Sequence, residues 1–318
     1  MALGEKRTIA VVGATGAQGG GLARAILADA GGGFALRALT RRVDSEKARA
    51  LAAAGAAVVA ADLDDEASLV RALDGAHGAF FVTNFWEHFS PDREKAQAAA
   101  MVRAAKKTGV RHAIWSTLED SRDFIPPSDP RMPTLLGHYK VPHFDLKAES
   151  DRVFVEAGVP TTFLLTSFYW ENLVHAGMAP KAGADGTLTW AMPLGSAKFP
   201  SIAVEDIGRC AYGIFKQGPS LAGRRIGVAG EHLTGAAMAA ALGDAIGKPV
   251  RYHAVPFDRF RAAGFPGAED LGNMFQFNVE FADAFCAARD VAATRALNPA
   301  LQTFRQWLTA NAARIPLS

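Results

Sequence analysis

Gly13-Ala14-Thr15-Gly16-Ala17-Gln18-Gly19 interrupts an apolar run that begins at Thr8 and gives way to an amphipathic stretch ending at Leu27. Glycines at this spacing let a backbone come within van der Waals contact of a pyrophosphate, whose charge then meets the N–H groups and positive dipole end of the helix that follows. Thr15, Ala17 and Gln18 belong to the same turn. The pattern alone also fits an ordinary strand-to-helix turn, so a second signal is needed. It comes about twenty residues later, where a dinucleotide site chooses its cofactor: the apolar run Phe34–Thr40 ends in Thr40-Arg41-Arg42, with no acid before Asp44. A carboxylate there would bond the 2′-hydroxyl of NAD, whereas cations in its absence suit a 2′-phosphate. The expected cofactor is NADP(H). Two solvated arginines opening a loop are the plainer alternative.

A second group of residues offers proton chemistry. His143 and Lys147 stand at i, i+4 and so share one helix face, and an imidazole there could protonate a bound substrate. The alternative is a lysine that bonds the nicotinamide ribose beside a histidine with no role. Ser116 could polarise a carbonyl or simply make a strand-end hydrogen bond. Tyr212-x-x-x-Lys216 has the spacing of an acid–base pair but lies on a later helix that opens Val204-Glu205-Asp206. Glu205 and Asp206 there answer the helix dipole.

These side chains must be held by elements that the sequence also marks. After the first strand and helix, helical stretches at Ser45–Ala54, Asp65–Leu73 and Pro91–Thr108 alternate with apolar strands Ala56–Ala61, Gly78–Val82 and His112–Ser116. Asp64 or Asp65 can cap one helix, Pro91 can open another, and Gly55 and Gly109 can close theirs in left-handed conformation. Short continuous apolar strands joined by helices predict an α/β Rossmann fold, a doubly wound parallel sheet covered on both faces. A helix His143–Ala157 and a strand Thr161–Leu165 complete six strands. Thr83–Phe85, Ser116–Thr117 and Ser167–Asn172 then stand at carboxyl ends of strands, where ligands bind.

Pro126, Pro127, Pro130 and Pro133 exclude a long helix or central strand from Glu119–Val141. That loop is expected to wall or cover the site, and to be mobile without ligand because its prolines deny it backbone bonds; a disordered insertion is the alternative. Beyond Ser167 isolated helices, Val204–Gln217, Thr234–Ile246 and Pro299–Ala312, alternate with short strands and Gly/Pro turns. The expected division is a Rossmann domain over residues 1–166 and a smaller mixed α/β C-terminal lobe over 167–318, sharing one core, with Ile226–Val228 a candidate extra strand.

At 318 residues and 49% hydrophobic the chain can bury a large core. Its 34 basic and 32 acidic side chains nearly cancel, and the absence of a long basic run argues against direct nucleic-acid binding. Cys210 and Cys286 lie in apolar helical stretches without metal-ligand spacing, which predicts buried free thiols, no metal site and a reducing compartment. No apolar run approaches the roughly 18–20 residues that span a bilayer, and the first strand starts too early for a signal peptide, so a cytoplasmic protein is expected.

Gly13–Gly19, Val82-Thr83-Asn84-Phe85-Trp86-Glu87, His143-Phe144-Asp145-Leu146-Lys147, Tyr169-Trp170-Glu171-Asn172 and Gly264-Phe265-Pro266-Gly267-Ala268 together resemble the NmrA-like family, a branch of the atypical short-chain dehydrogenase/reductases that includes animal NADPH sensors. The resemblance spans nearly the whole chain. It implies NADP(H) held by the glycine turn, by Thr40, Arg41 and Arg42, by Asp62-Leu63 near adenine, and by Thr83-Asn84-Phe85 along ribose and pyrophosphate. Lys147 and Tyr169-Trp170-Glu171-Asn172 would flank the nicotinamide. Read without the family, Asn84 also suits an Asx turn, and Tyr169 and Trp170 suit a core. A lysine that one member of the family carries on the helix after Glu87 is replaced here by Ala96, beside Lys95.

A short-chain reductase needs a tyrosine four residues before the lysine to give its proton to the substrate; here that position is His143. The reading preferred on sequence is therefore an NADPH-level sensor that follows the cofactor through differential affinity for two states, acting on a protein partner. The alternative is an NADPH-dependent oxidoreductase acting on a small carbonyl, quinone or imine, with Glu119–Val141 and Gly264–Phe281 closing an apolar pocket. A second copy of the chain is a further candidate partner.

Overall fold

The computed structural model describes residues 6–183 and 185–317. Strands and helices alternate from the start: β1 (Arg7–Val12), α1 (Ala17–Ala28), β2 (Phe34–Thr40), α2 (Glu46–Ala53), β3 (Ala57–Ala60), α3 (Glu66–Leu73), β4 (Gly78–Phe81), α4 (Pro91–Thr108), β5 (His112–Thr117), α5 (Pro142–Ala157) and β6 (Thr161–Leu165). There follow β7 (Phe168–Tyr169), α6 (Asn172–His175), β8 (Lys181–Ala182), β9 (Leu188–Met192), β10 (Lys198–Ile202), α7 (Val204–Gln217), β11 (Arg225–Gly227), β12 (Glu231–Thr234), α8 (Gly235–Ile246) and β13 (Val250–Ala254). The chain closes with α9 (Phe257–Arg261), α10 (Ala268–Glu280), α11 (Ala282–Ala287), α12 (Val291–Leu297) and α13 (Phe304–Asn311).

Two compact units emerge. One comprises the described residues up to Asp120 with Leu146–Thr166 and Glu205–Ile226; the other comprises Ser121–Asp145, Ser167–Val204 and the described residues from Gly227. The first unit is built on a seven-stranded sheet of order β11-β6-β5-β4-β1-β2-β3. Its pairs are parallel, as at Val11↔Ala38, Val11↔Phe80 and Phe80↔Ile114. Consecutive strands run outward in opposite directions from β1 and β4, so the topological switch point lies between them. Ala10, Val12, Leu69, Phe81, Met101, Trp115 and Phe154 form one core on this sheet. Local signals agree with it: Ser45, Asp65 and Ser90 cap α2, α3 and α4, Pro91 opens α4, and Gly109 closes it at φ 68°.

To the six expected strands the sheet adds a seventh beyond β6, Arg225–Gly227, which overlaps the candidate extra strand Ile226–Val228. The second unit carries two three-stranded sheets, β12-β10-β7 and β13-β9-β8. Its interior is aromatic: Trp170 packs on Phe304 and Trp307, and Phe277 on Phe144, Phe281 and Phe285.

Two expectations need correction, and the proline-rich loop shows bonds that the sequence did not announce. The last helix starts at Phe304, not Pro299, because Thr303 and Gln306 form a reciprocal capping box that fixes its first turn. Cys286 is only half-buried, unlike Cys210; both thiols are free. The proline-rich loop is well bonded, since side chains replace the ladder that its prolines forgo. The Lys140 ammonium donates to the carbonyls of Asp129 (2.7 Å) and Met132 (2.5 Å), Asn273 donates to those of Pro133 and Lys140, and Gln276 donates to that of Arg131. Among the described residues no helix is long and apolar enough to cross a membrane.

Candidate functional site

At the switch point the chain leaves β1 through Gly13, whose φ of +65° strains any residue with a Cβ. A Cβ on Gly19 would lie 2.4 Å from the Gly13 carbonyl oxygen and one on Gly16 3.2 Å from the same atom. At Gly16 and Gly19 the turn thus leaves little or no room for a side chain against its own backbone. Gly16 is the N-cap of α1 and offers no side-chain cap, and the first turn holds no acid, so the N-terminus keeps the positive end that a pyrophosphate requires. The residues present fit a dinucleotide.

The remaining expected cofactor residues of the first unit follow at neighbouring strand ends. Thr40-Arg41-Arg42 leaves β2, Asp62-Leu63 follows β3, and Thr83-Asn84-Phe85 follows β4, so the sheet order β4-β1-β2-β3 brings all of them to one edge with the glycine turn. Thr40 Oγ1 accepts from the Arg42 backbone, and Arg41 donates to Glu87 Oε1 at 2.5 Å. Asp62 Oδ1 accepts from the Asp64 backbone.

Lys147, on α5, is buried against this edge. Its ammonium donates to Thr83 Oγ1 (2.6 Å), to Glu94 Oε1 (2.9 Å) and to the Thr83 carbonyl (3.2 Å), with the Trp115 ring centroid 5.4 Å away. Those three bonds use all three N–H donors of an ammonium. The Thr83 hydroxyl donates to Glu94 Oε1, and Glu94 Oε2 stands 3.4 Å from His88 Nε2. Glu94 is fully buried. Sequence reasoning passed over it, since an acid in the first turn of α4 reads as a dipole partner. Its register gave a signal: Glu94, Ala98, Met101 and Ala105 make one buried stripe.

His143, one turn earlier on α5, is held in the second unit. Its Nδ1 lies 2.6 Å from Asp270 Oδ1, and its backbone N–H donates to Asp270 Oδ2 at 3.1 Å. Asp270 thus binds the ring and also satisfies a donor of the first turn of α5, which would otherwise have no intrahelical partner. Both residues are nearly buried. Asp270 was also missed, although Asp270, Met274 and Phe277 repeat the same helical register.

Tyr169-Trp170-Glu171-Asn172 belongs to the second unit too. Trp170 is fully buried and donates to Ser201 Oγ at 2.7 Å, while Glu171 accepts from Trp307 Nε1 (2.9 Å) and the Val204 backbone (3.0 Å). Tyr169, in β7, and Asn172, the first residue of α6, are half-buried, as is Glu171. Tyr212 donates to Asp29 Oδ2 at 2.9 Å; burial, then Asp29, raises its pKa. Ser116 is buried at the end of β5, beside Thr117, whose hydroxyl donates to Asp151. Asp151 also accepts from Trp115 and Arg225, and burial pushes its carboxyl up to about 6 against those partners. Among the described residues no group of three His, Cys, Asp or Glu could hold a metal ion.

A doubly wound sheet with a glycine turn and an uncapped helix at its switch point defines a Rossmann-type dinucleotide-binding protein. The chain matches the NmrA-like family over residues 5–308 and belongs to it. It is 30% identical over 290 residues to the NmrA-like family domain-containing oxidoreductase FrzB of Cladobotryum sp., covering 85% of this chain and 83% of that protein. With an NAD(P)H azoreductase of Xenophilus azovorans it shares 32% identity over 256 residues, 80% of this chain and 79% of the relative. Among solved structures it is similar to NmrA, a negative transcriptional regulator, in complex with NADP (TM-score 0.75, 25% identity, 96% and 95% of the two chains covered) and in complex with NAD (TM-score 0.76).

Proposed function

We propose that the protein is an NADPH-dependent reductase of a small carbonyl, quinone or imine, with His143 as its proton donor. The observation that carries this reading is the His143–Asp270 pair. A carboxylate 2.6 Å from Nδ1 keeps a proton on that nitrogen, so the ring exchanges its other proton at Nε2. A bound nicotinamide supplies the hydride. The glycine turn and the N-terminus of α1 hold the pyrophosphate, Arg41 and Arg42 the 2′-phosphate, Asp62 and Leu63 the adenine side, and Thr83, Asn84 and Phe85 the ribose and pyrophosphate. Lys147 orients the nicotinamide ribose. Its longest bond, 3.2 Å to the Thr83 carbonyl, is the one that a ribose hydroxyl replaces most easily. In this reading His143 gives its Nε2 proton to the substrate oxygen or nitrogen that gains electrons, and keeps Nδ1–H on Asp270. Relatives named as oxidoreductases and as an NAD(P)H azoreductase support the reading.

The NADPH-sensor reading is favoured by one observation, that α5 has no tyrosine four residues before Lys147; NmrA is itself described as a negative transcriptional regulator. Single-turnover absorbance decay of NADPH against carbonyls, quinones and imines separates the two. A reductase consumes NADPH with at least one substrate, and His143→Ala slows that step by about 10²–10⁴ with cofactor affinity unchanged. Turnover equal to wild type in His143→Ala refutes His143 as the donor, and no turnover with any class leaves the sensor.

A further inference from the structure

The two arginines at the end of β2 are not equivalent. The Arg42 guanidinium meets no acceptor among the described residues, whereas Arg41 is bonded at 2.5 Å to Glu87, with side-chain exposures of 55% and 41%. Nearby charges are already committed or unfavourable to an anion: Arg93 is held by Asp64, and Asp62 lies within electrostatic range of Arg41. Glu87 ends the single 3-10 turn Phe85–Glu87 that follows β4. That turn is pinned by buried Phe85, whose ring meets Trp86, His88 and Phe89 at 5.8–6.0 Å. Phe89 adopts φ +52°, a left-handed conformation that costs a bulky residue energy. The carboxylate that holds Arg41 thus ends a short turn, two residues before a left-handed Phe89.

We propose that Glu87 is a built-in competitor for the 2′-phosphate of the dinucleotide, so that NADP(H) must displace it from Arg41 while NAD(H) does not. This rests on the NADP(H) reading of Arg41 and Arg42. A carboxylate and a phosphate both use the guanidinium fork, and two anions cannot share it without repulsion. Glu87 thus tunes the preference between the two cofactors. Its release also cuts the bond between the Phe85–Glu87 turn and Arg41, so that this tether differs between the NADP(H)-bound and NAD(H)-bound protein. A protein that follows NADPH level needs such a difference, and so does an enzyme that must hold one cofactor loosely enough to exchange it.

Calorimetric titration of wild type, Glu87→Gln and Glu87→Ala with NADPH and NADH tests the proposal. Both variants are expected to bind NADPH about three- to ten-fold more tightly, with NADH changed less than about two-fold and the gain shrinking as salt rises. In the background of Arg41→Ala the Glu87→Gln gain vanishes. Hydrogen exchange of residues 85–89 in wild type rises with NADPH and not with NADH. If wild type prefers NADPH but neither Glu87 variant raises that preference, the proposal is overturned and the cofactor reading stands. Equal wild-type affinities for the two cofactors overturn the cofactor reading and the proposal with it.

Discussion

The buried Lys147–Glu94 pair gives the sharpest energetic prediction. Lys147→Met removes the ammonium and leaves the fully buried Glu94 carboxylate with the Thr83 hydroxyl and, at 3.4 Å, the His88 ring. Glu94→Gln keeps an acceptor at 2.9 Å from Lys147 but removes the counter-charge from an ammonium whose side chain is 11% exposed. Breaking such a pair from one side costs about 3–5 kcal/mol, because the surviving charge has lost both water and partner. The double variant Lys147→Met/Glu94→Gln holds no buried charge. Its cost should fall about 2 kcal/mol or more below the sum of the singles. Urea unfolding of all four proteins measures this, provided the m-values agree. Single costs under about 1 kcal/mol, or additivity within about 0.5 kcal/mol, would refute the reasoning: the pair would then be hydrated and unable to fix Thr83.

Two further predictions concern the frame of the first unit. A Cβ on Gly208 would meet the Gly21 carbonyl carbon and the Leu22 nitrogen at 2.1 Å, so Gly208→Ala forces α7 off α1 and is expected to cost about 2–3 kcal/mol in urea unfolding; a loss under about 0.5 kcal/mol, the scale of a surface change, would contradict the close approach. Burial, then His77, lowers the His112 pKa from 6.5 to about 4. The unfolded chain therefore takes up a proton between these values that the folded chain refuses, and stability falls as pH drops through that window. Asp151, raised to about 6, acts in the opposite sense and masks part of the loss. His112→Gln should thus gain about 2–3 kcal/mol relative to wild type between pH 7.5 and 4.5, and parallel pH profiles for the two proteins would exclude the effect.

The sequence by itself determined the parallel sheet and the glycine turn at its switch point. Gly13, Gly16 and Gly19, the apolar strands and the caps at Ser90, Pro91 and Gly109 act through backbone geometry and period, which are local properties. β2, α4 and β6 end where the periodicity ends. The partners of Lys147 and His143 were out of reach, because Glu94 and Asp270 lie 53 and 127 residues away along the chain. Both resembled solvated acids of a first helical turn. Burial converts them: once water is removed, a carboxylate must find a cation or donors, and only the packing of α4 and α10 decides which. The partners of Trp170 and Glu171, Ser201 and Trp307, were equally out of reach, 31 and 136 residues further along the chain. The Glu119–Val141 loop shows the limit from the other side. Prolines announce the loss of a backbone ladder in sequence, but of the side chains that replace it only Lys140 belongs to the loop, and Asn273 and Gln276 are brought there from α10 by tertiary structure.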